Sequence, residues 1–387
     1  MLFVNLERVF LTFVVTFLTW NLFLDEEYSL CLKIVDINFW MILLVLILYL
    51  IILSTRISYK FRLNLLIILL YYTFYLSNWV RFFILYEMVF IMTIFVIILI
   101  GYSFERLIAA YLILFYSFFF SSPILLVILL MNKNFFIKCW LVTRYFYCYF
   151  LVASFIVKFP IFGFHYWLPV AHVEASTVGS IILARLLLKL GGVGLFYVIY
   201  LLKFIVKLHW LSLGVLLTIL IILNLRDLKI MIAYSSVAHI RITFYIFSIG
   251  AFVGKIGALM IMVYHGILSP LLFWIVGLLV WWKTRSLLVI KFLSFSSLFI
   301  LIIFMLCILN IRFPPFLGFL REVLMLKCLI TNQIILYTFC LRILFSCYYN
   351  IYFYWCFNTV ANFIFKLQVA RLDVFIFLFF VVMVNFY

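Results

Sequence analysis

The chain has 387 residues, of which 71% are hydrophobic and only 10% are charged. A water-soluble domain of this size needs a far more polar surface, so a soluble globular enzyme is excluded. The net charge of +17 lies mostly in short loops between apolar runs, as the positive-inside rule predicts, and does not indicate nucleic-acid binding.

Apolar runs long enough to cross a bilayer recur from one end of the chain to the other, which is typical of a polytopic all-α membrane protein. They predict a transmembrane bundle of about thirteen helices, within a range of twelve to fourteen. The predicted spans are 8–24, 38–55, 62–79, 80–100, 107–131, 141–170, 177–203, 209–224, 229–250, 254–281, 288–330, 333–356 and 371–387.

Two of these helices are unusually long and contain internal proline. The sixth carries Lys158-Phe-Pro160, and the eleventh carries Arg312-Phe-Pro314-Pro315. Proline removes a backbone donor and clashes with the preceding turn. Broken helices in two halves of a chain indicate a transport site, so we predict two discontinuous helices. The alternative is two ordinary proline kinks.

The spacing of the two breaks fits two five-helix units related as antiporter-like inverted repeats. We therefore predict a single membrane domain, 1–387, without an inserted soluble domain. Within it, 1–79 forms N-terminal helices, 80–203 a first proton-channel repeat, 204–356 a second repeat and 357–387 a C-terminal helix.

Four ionisable residues lie inside apolar runs. Glu87 is about two turns into its helix, Lys158 is at the first break, Lys189 is near a helix centre and Glu322 follows the second break. A charge at the bilayer centre costs at least about 2.5–3.5 kcal/mol. Residues retained at that cost usually mark a path for protons or ions.

The four charges suggest proton transfer. A Glu and a Lys about 4 Å apart attract by roughly 4 kcal/mol at an effective dielectric near 20. Exchange of partners would change the proton-binding constant of a lysine about a thousandfold. We hypothesise that Glu87 pairs with Lys158 in one state and that protons pass through Lys189 to Glu322. The alternative is a static Glu87–Lys158 pair that holds helices together.

Two histidines are further candidates for this pathway. His265 lies mid-membrane and could bridge Lys189 to Glu322 through water; its alternative is a hydrogen-bonded core histidine. His239 follows a run with three hydroxyl groups, 233–238, which can hold water or hydrogen-bond across helices.

Other patterns indicate packing rather than ligand binding. Gly191-Gly-Val-Gly194 lies inside an apolar helix without a preceding strand, so it predicts close helix packing and no phosphate site. The eight Cys have no CxxC pair and do not indicate a metal site.

The same residues resemble a known family. The segment Lys158–Ala175, KFPIFGFHYWLPVAHVEA, is similar to the hallmark segment of the chain 4 family of mitochondrial NADH–ubiquinone oxidoreductase, respiratory complex I. The resemblance covers roughly 80–330. Further matching motifs follow in the family's order: Tyr86-Glu87, Glu105-Arg-Leu107, Gly179-Ser180, Leu187–Gly192, Asp227-Leu-Lys229, Ala233–His239, His265-Gly266, Pro314-Pro315 and Glu322.

The resemblance implies an antiporter-like, proton-translocating subunit in the membrane arm of the complex. It implies Glu87, Lys158, Lys189 and Glu322 as proton-path residues, with no redox site or cofactor in this chain. NADH, FMN, iron–sulfur clusters and ubiquinone are expected in other subunits. Expected partners are other membrane-arm subunits, including neighbouring antiporter-like subunits, and phospholipid. The expected location is the mitochondrial inner membrane, with many spans.

The chain departs from the family at several positions. Arg185 lies four residues before Lys189, where like charges repel, and Arg241 and Arg321 are also unexpected. They could pair with lipid, with a neighbouring subunit or with Glu322.

Two competing functions remain at this point. One is a subunit of a multi-subunit sodium/proton antiporter, for which a sodium site would favour more carboxylates. The other is a passive scaffold of the membrane arm, which has no need of intramembrane charge.

Overall fold

The computed structural model describes residues 41–46, 60–75, 79–101, 105–132, 152–160, 163–202, 210–249, 252–280, 286–287, 297–314, 316–329 and 333–358. All of them lie in a compact unit that spans Trp40–Tyr387. The predicted helices 8–24 and 371–387 and the residue Pro315 lie outside the described residues, as does most of 38–55.

The described residues form a helical bundle, which confirms the all-α prediction. A short helical stretch, 41–46, precedes the helices that are numbered here. These are α1 (Lys60–Tyr75), α2 (Trp79–Ile100), α3 (Arg106–Asn132), α4 (152–158), α5 (Trp167–Glu174), α6 (Thr177–Ile182, a π-helical turn Leu183–Leu187 and Leu188–Leu202), α7 (Trp210–Asn224), α8 (Leu228–Ile249), α9 (Phe252–Val280), α10 (Ser297–Ile311), α11 (Leu317–Leu329) and α12 (Gln333–Asn358).

Several helices in the described part of the chain are long and apolar enough to span a membrane. Five qualify by length and composition, and they are Val80–Ile100, Arg106–Leu125, Thr177–Phe196, Leu228–Phe247 and Gly254–Leu279. The first two are mostly exposed on their apolar faces, whereas the last three are largely buried among other helices. The predicted site residues on α6, α8 and α9, which are Lys189, His239 and His265, therefore lie inside the bundle.

Both predicted helix breaks are present. The helical stretch 152–158 ends in a turn at Phe159 and Pro160, and helical structure resumes at Trp167. The second break separates α10 from α11 through a turn that contains Arg312 and Pro314. The inverted-repeat relation between the two halves stays a prediction.

Helix α9 lies at the centre of the bundle. It packs against α6, α8, α10 and α11, while α8 also packs against α5 and α7. Helices α6, α8 and α9 carry Lys189, His239 and His265 respectively. This arrangement brings three predicted site residues from distant parts of the sequence to one place.

The glycines of α6 allow it to pack closely on the first break. A Cβ at Gly191 would lie 3.2 Å from the backbone nitrogen of Phe159, and one at Gly192 would lie 2.8 Å from Phe159 Cε2. Both distances are shorter than comfortable van der Waals contact, and the Gly191–Gly194 stretch therefore serves close packing, as its sequence predicts.

We expect Gly192→Ala to destabilise the protein by about 1–3 kcal/mol, because the added methyl group would overlap Met262 Sδ and the ring of Phe159 together. Thermal denaturation of the purified protein in detergent measures the effect. Gly257→Ala is the matched control, since its Cβ would meet the flexible Met325 side chain at 3.3 Å and should cost less. Equal denaturation temperatures for wild type and Gly192→Ala would contradict the packing argument.

Candidate functional site: a buried charge cluster

The first predicted pair, Glu87 and Lys158, forms an ion pair inside the bundle. Lys158 Nζ lies 2.5 Å from Glu87 Oε1, with the lysine side chain 3% exposed and the glutamate side chain 24% exposed. The ammonium also lies 3.7 Å from the ring centroid of Tyr86 and 4.0 Å from that of Phe90. Aromatic faces attract cations, so the carboxylate and both rings stabilise the charge where α4 ends.

Lys189 occupies the interior of α6, immediately after the π-helical turn. Its Nζ donates a hydrogen bond to the carbonyl oxygen of Ala184, a residue of that turn. The same nitrogen lies 2.9 Å from Nδ1 of His265. A Cβ at Gly266 would lie 3.3 Å from Lys189 Cε, so glycine at this position leaves room for the lysine side chain.

A small cavity with room for about one water molecule connects these groups. Lys189, His239 and His265 line it together with Phe159, which follows Lys158 in the chain. The ring centroids of His239 and His265 are 5.9 Å apart. The atoms that face this cavity are apolar, so it shows that the three side chains pack around one small gap.

Glu322 lies at the far end of the cluster, between two arginines. Arg312 Nη1 donates to Glu322 Oε1, and Arg342 Nη1 lies 3.7 Å from the same oxygen. Each arginine also approaches His239 with its other terminal nitrogen. Arg312 Nη2 is 2.9 Å from His239 Nδ1, and Arg342 Nη2 contacts the same ring nitrogen.

The six predicted residues therefore fall into two groups. Lys189, His265, His239 and Glu322 belong to one chain of contacts, which two arginines complete. Glu87 and Lys158 form a separate pair, and Phe159, the residue after Lys158, lines the cavity. All six residues are at most partly exposed, and Lys189 is 2% exposed.

Sequence reasoning missed the roles of Arg312 and Arg342. Arg342 lies in the middle of an apolar helix, which is the same signal that identified Lys189, and Arg312 directly precedes the second break. Both are almost completely buried. The intramembrane-charge argument would have found both residues had it been applied to arginine as strictly as to lysine.

The other unexpected arginines have different surroundings. Arg321 lies with its guanidinium carbon 5.0 Å from the ring centroid of Tyr264. Arg241 donates a hydrogen bond of 2.5 Å to the carbonyl oxygen of Gly214. Glu322 pairs instead with Arg312 and Arg342.

Residues 77–346 match the family model described as NADH:quinone oxidoreductase/Mrp antiporter, transmembrane. Among curated relatives, NADH-ubiquinone oxidoreductase chain 4 of Ceratitis capitata is 35% identical over 312 residues, which cover 76% of this chain and 70% of that protein.

Solved structures share the fold at low sequence identity. A chain of respiratory complex I from Thermus thermophilus superposes with a TM-score of 0.73 at 17% sequence identity. The match covers 90% of this chain and 78% of the Thermus chain. A chain of the Mrp complex from Dietzia sp. superposes with a TM-score of 0.74 at 16% sequence identity. The match covers 90% of this chain and 42% of the Dietzia chain.

We expect Glu87→Gln to destabilise the protein by about 3 kcal/mol, because it leaves the Lys158 ammonium buried without its carboxylate. The value lies at the lower end of the range for buried pairs, since Glu87 is partly exposed. Denaturation in detergent measures the loss.

The double variant Glu87→Gln with Lys158→Met should recover most of that loss, because no unpaired charge remains. Glu105→Gln, at an exposed position, is the control and should change stability little. A Glu87→Gln protein as stable as the control would show that the pair contributes nothing to stability.

Proposed function

This chain belongs to the NADH:quinone oxidoreductase/Mrp antiporter membrane family, and from that premise we propose that it translocates protons through its buried charge cluster. It is a membrane-arm subunit of respiratory complex I, by its relation to NADH-ubiquinone oxidoreductase chain 4. As a subunit it belongs to an NADH:ubiquinone reductase that translocates protons. We assign the proton route to Glu87, Lys158, Lys189, His265, His239 and Glu322.

The contact between Lys189 and His265 is the observation that carries the proposal. An ammonium Nζ and an imidazole Nδ1 that are 2.9 Å apart can pass one proton directly between two nitrogen atoms. A neutral imidazole has one acceptor nitrogen and one donor nitrogen, so it can accept a proton on one side and release another on the opposite side, which makes it a suitable relay. His239, whose ring centroid is 5.9 Å from that of His265, would continue the route towards Glu322.

The Glu87–Lys158 pair would set the charge next to that route. When Glu87 holds Lys158, the two charges compensate each other locally. If the pair separates, the Lys158 ammonium is no longer compensated, and its field acts on the region beyond Phe159 where Lys189 lies. A change in this ion pair would therefore alter how readily Lys189 holds its proton.

The redox chemistry and its cofactors would belong to other subunits of the complex. NADH, FMN, iron–sulfur clusters and ubiquinone would thus act on this chain only through the conformation and charge of its neighbours. We assign its location to the mitochondrial inner membrane. Its exposed apolar helix faces, for example on α3, would meet phospholipid or neighbouring antiporter-like subunits.

A sodium/proton antiporter subunit is the second candidate, because the Mrp complex shares this fold. Sodium would require available oxygen ligands within the bundle. Both Glu87 and Glu322 instead face cationic side chains, at Lys158 and at Arg312 and Arg342. These pairings favour protons over sodium as the transported ion.

We expect Lys189→Ala to leave the complex assembled while removing the proton translocation that depends on this subunit. The substitution deletes the proton donor to His265 and leaves no paired carboxylate without its cation, since Glu87 and Glu322 keep their own partners. The ratio of protons pumped to NADH oxidised, measured in reconstituted vesicles, reports the loss.

Lys327→Ala is the matched control, because this lysine is exposed near the end of α11. A parental pumping ratio in Lys189→Ala would remove Lys189 from the pathway. The same vesicles distinguish the two candidates: pumping that requires sodium favours the antiporter, and pumping that is unchanged when potassium replaces sodium favours proton translocation.

A further inference from the structure

The two helix breaks have the same local design. Each has a basic residue, a phenylalanine and a proline in succession, at Lys158-Phe-Pro160 and at Arg312-Phe-Pro314. In each the basic side chain pairs with a glutamate, Glu87 at the first break and Glu322 at the second. The breaks differ in the cation: the first has a lysine, whereas the second has an arginine.

The arginine at the second break does more than neutralise Glu322. Arg312 contacts Glu322 with one terminal nitrogen and His239 with the other, and Arg342 is placed between the same two residues. The Arg312 guanidinium thus bridges the histidine and the carboxylate by hydrogen bonds, whereas Arg342 contacts His239 and faces Glu322 as an ion pair at 3.7 Å. The planar fork of arginine suits such two-sided contacts, and the point charge of a lysine does not.

These bridges have a consequence for proton movement. A guanidinium keeps its protons in proteins, so Arg312 and Arg342 can donate hydrogen bonds but cannot pass a proton on. His239 Nδ1 faces nitrogen atoms of both guanidinium groups, which can only donate, so Nδ1 is the acceptor nitrogen of a neutral ring and its single lone pair is shared between the two arginines. In this arrangement, the direct route from His239 to Glu322 is closed.

The backbone at Arg312 indicates that its side chain is needed there. Arg312 has a φ of 63°, in the left-handed region that glycine favours. The N–H of Phe313 donates to the carbonyl oxygen of Ile308, and the N–H of Arg312 donates to that of Leu309, which is the hydrogen-bonding pattern of a Schellman helix end. Glycine is the usual residue at this position, so an arginine occupies it against the backbone preference.

We propose that Arg312 and Arg342 form a guanidinium gate between His239 and Glu322. The closed gate, as seen here, keeps the two guanidinium groups between Glu322 and His239 and prevents proton exchange between these two residues. The gate opens when a guanidinium leaves one of its two partners. This inference rests on the proposed function, because it assumes that protons reach His239 from Lys189. Both arginines act as positioning residues through Glu322 and His239.

Arg312→Gly tests the gate without straining the backbone, because glycine readily adopts the left-handed conformation. The assembled complex is reconstituted into vesicles with a preformed pH gradient, and the gradient is followed without turnover. We expect the gradient to decay faster than in wild type. During turnover we expect fewer protons pumped per NADH oxidised, approaching the loss in Lys189→Ala.

The variant Arg312→Lys tests whether the gate needs the two-sided contact of Arg312 or only its positive charge. The lysine keeps the positive charge but lacks the planar guanidinium group that contacts two partners. Vesicles with this variant should therefore lose the pH gradient as fast as those with Arg312→Gly. Arg321→Lys is the matched control, since Arg321 precedes Glu322 in the chain but lies against Tyr264; it should behave as wild type. Parental behaviour of Arg312→Lys would overturn the bridging mechanism, and parental behaviour of Arg312→Gly would overturn the gate.

Comparison with Lys189→Ala keeps the two proposals distinct. If Lys189→Ala loses pumping while both Arg312 variants pump and hold the gradient normally, the gate is wrong and the pathway stands. If Lys189→Ala pumps normally, the proposed pathway is wrong, and the gate proposal, which rests on that pathway, is wrong as well. A leak in Arg312→Gly that also requires Lys189, shown by its absence in the double variant, supports both proposals.

Discussion

The need to compensate charge in an apolar interior determines how this protein is built. Removing a charged side chain from water is costly, and the cost is offset only by a well-placed counter-charge or by strong hydrogen bonds. Glu87 meets Lys158, and Glu322 meets Arg312 and Arg342, each pair deep within the bundle. The helices that carry these residues must therefore pack in positions that keep the partners together.

The helix breaks make this compensation possible. A continuous helix satisfies its own backbone, whereas a proline break leaves backbone groups that need other partners. At the second break, the hydroxyl group of Tyr264 donates a hydrogen bond of 2.5 Å to the carbonyl oxygen of Leu309, close to the end of α10. At the first, the indole nitrogen of Trp167 donates to the carbonyl oxygen of Val157, 3.0 Å away. Side chains from other helices, Trp167 on α5 and Tyr264 on α9, thus stabilise the helix ends that position Lys158 and Arg312.

Much of the fold follows from the sequence because hydropathy and length determine transmembrane helices almost alone. The predicted span 80–100 corresponds to Trp79–Ile100, and 229–250 corresponds to Leu228–Ile249. Buried charge identified Glu87, Lys158, Lys189 and Glu322 for a similar reason, since a charge in an apolar run is a local property of the sequence.

Partner choice and fine geometry could not be predicted in this way. Glu322 pairs with a residue ten positions before it and with another on the next helix, a choice that depends on how α10, α11 and α12 rotate against each other. The π-helical turn before Lys189 likewise depends on packing rather than on a local signal. Both features come from tertiary contacts, which hydropathy does not encode.

The chemical difference between lysine and arginine divides the cluster into two parts. Arginine stays charged, so the Arg312–Arg342–Glu322 group can change only by movement of side chains. Lysine can release its proton, so Lys158 and Lys189 can change their charge in place.

Among these four basic residues, Lys189 is the one that can become neutral without breaking one of the observed ion pairs. In the proposed pathway, protonation at Lys189 and movement at Arg312 would be linked through His265 and His239, because each step would alter the charge or the hydrogen bonds that the next residue experiences. A subunit with this arrangement can move protons in one direction only if the two events alternate, and the shared histidines provide the contact through which one can control the other.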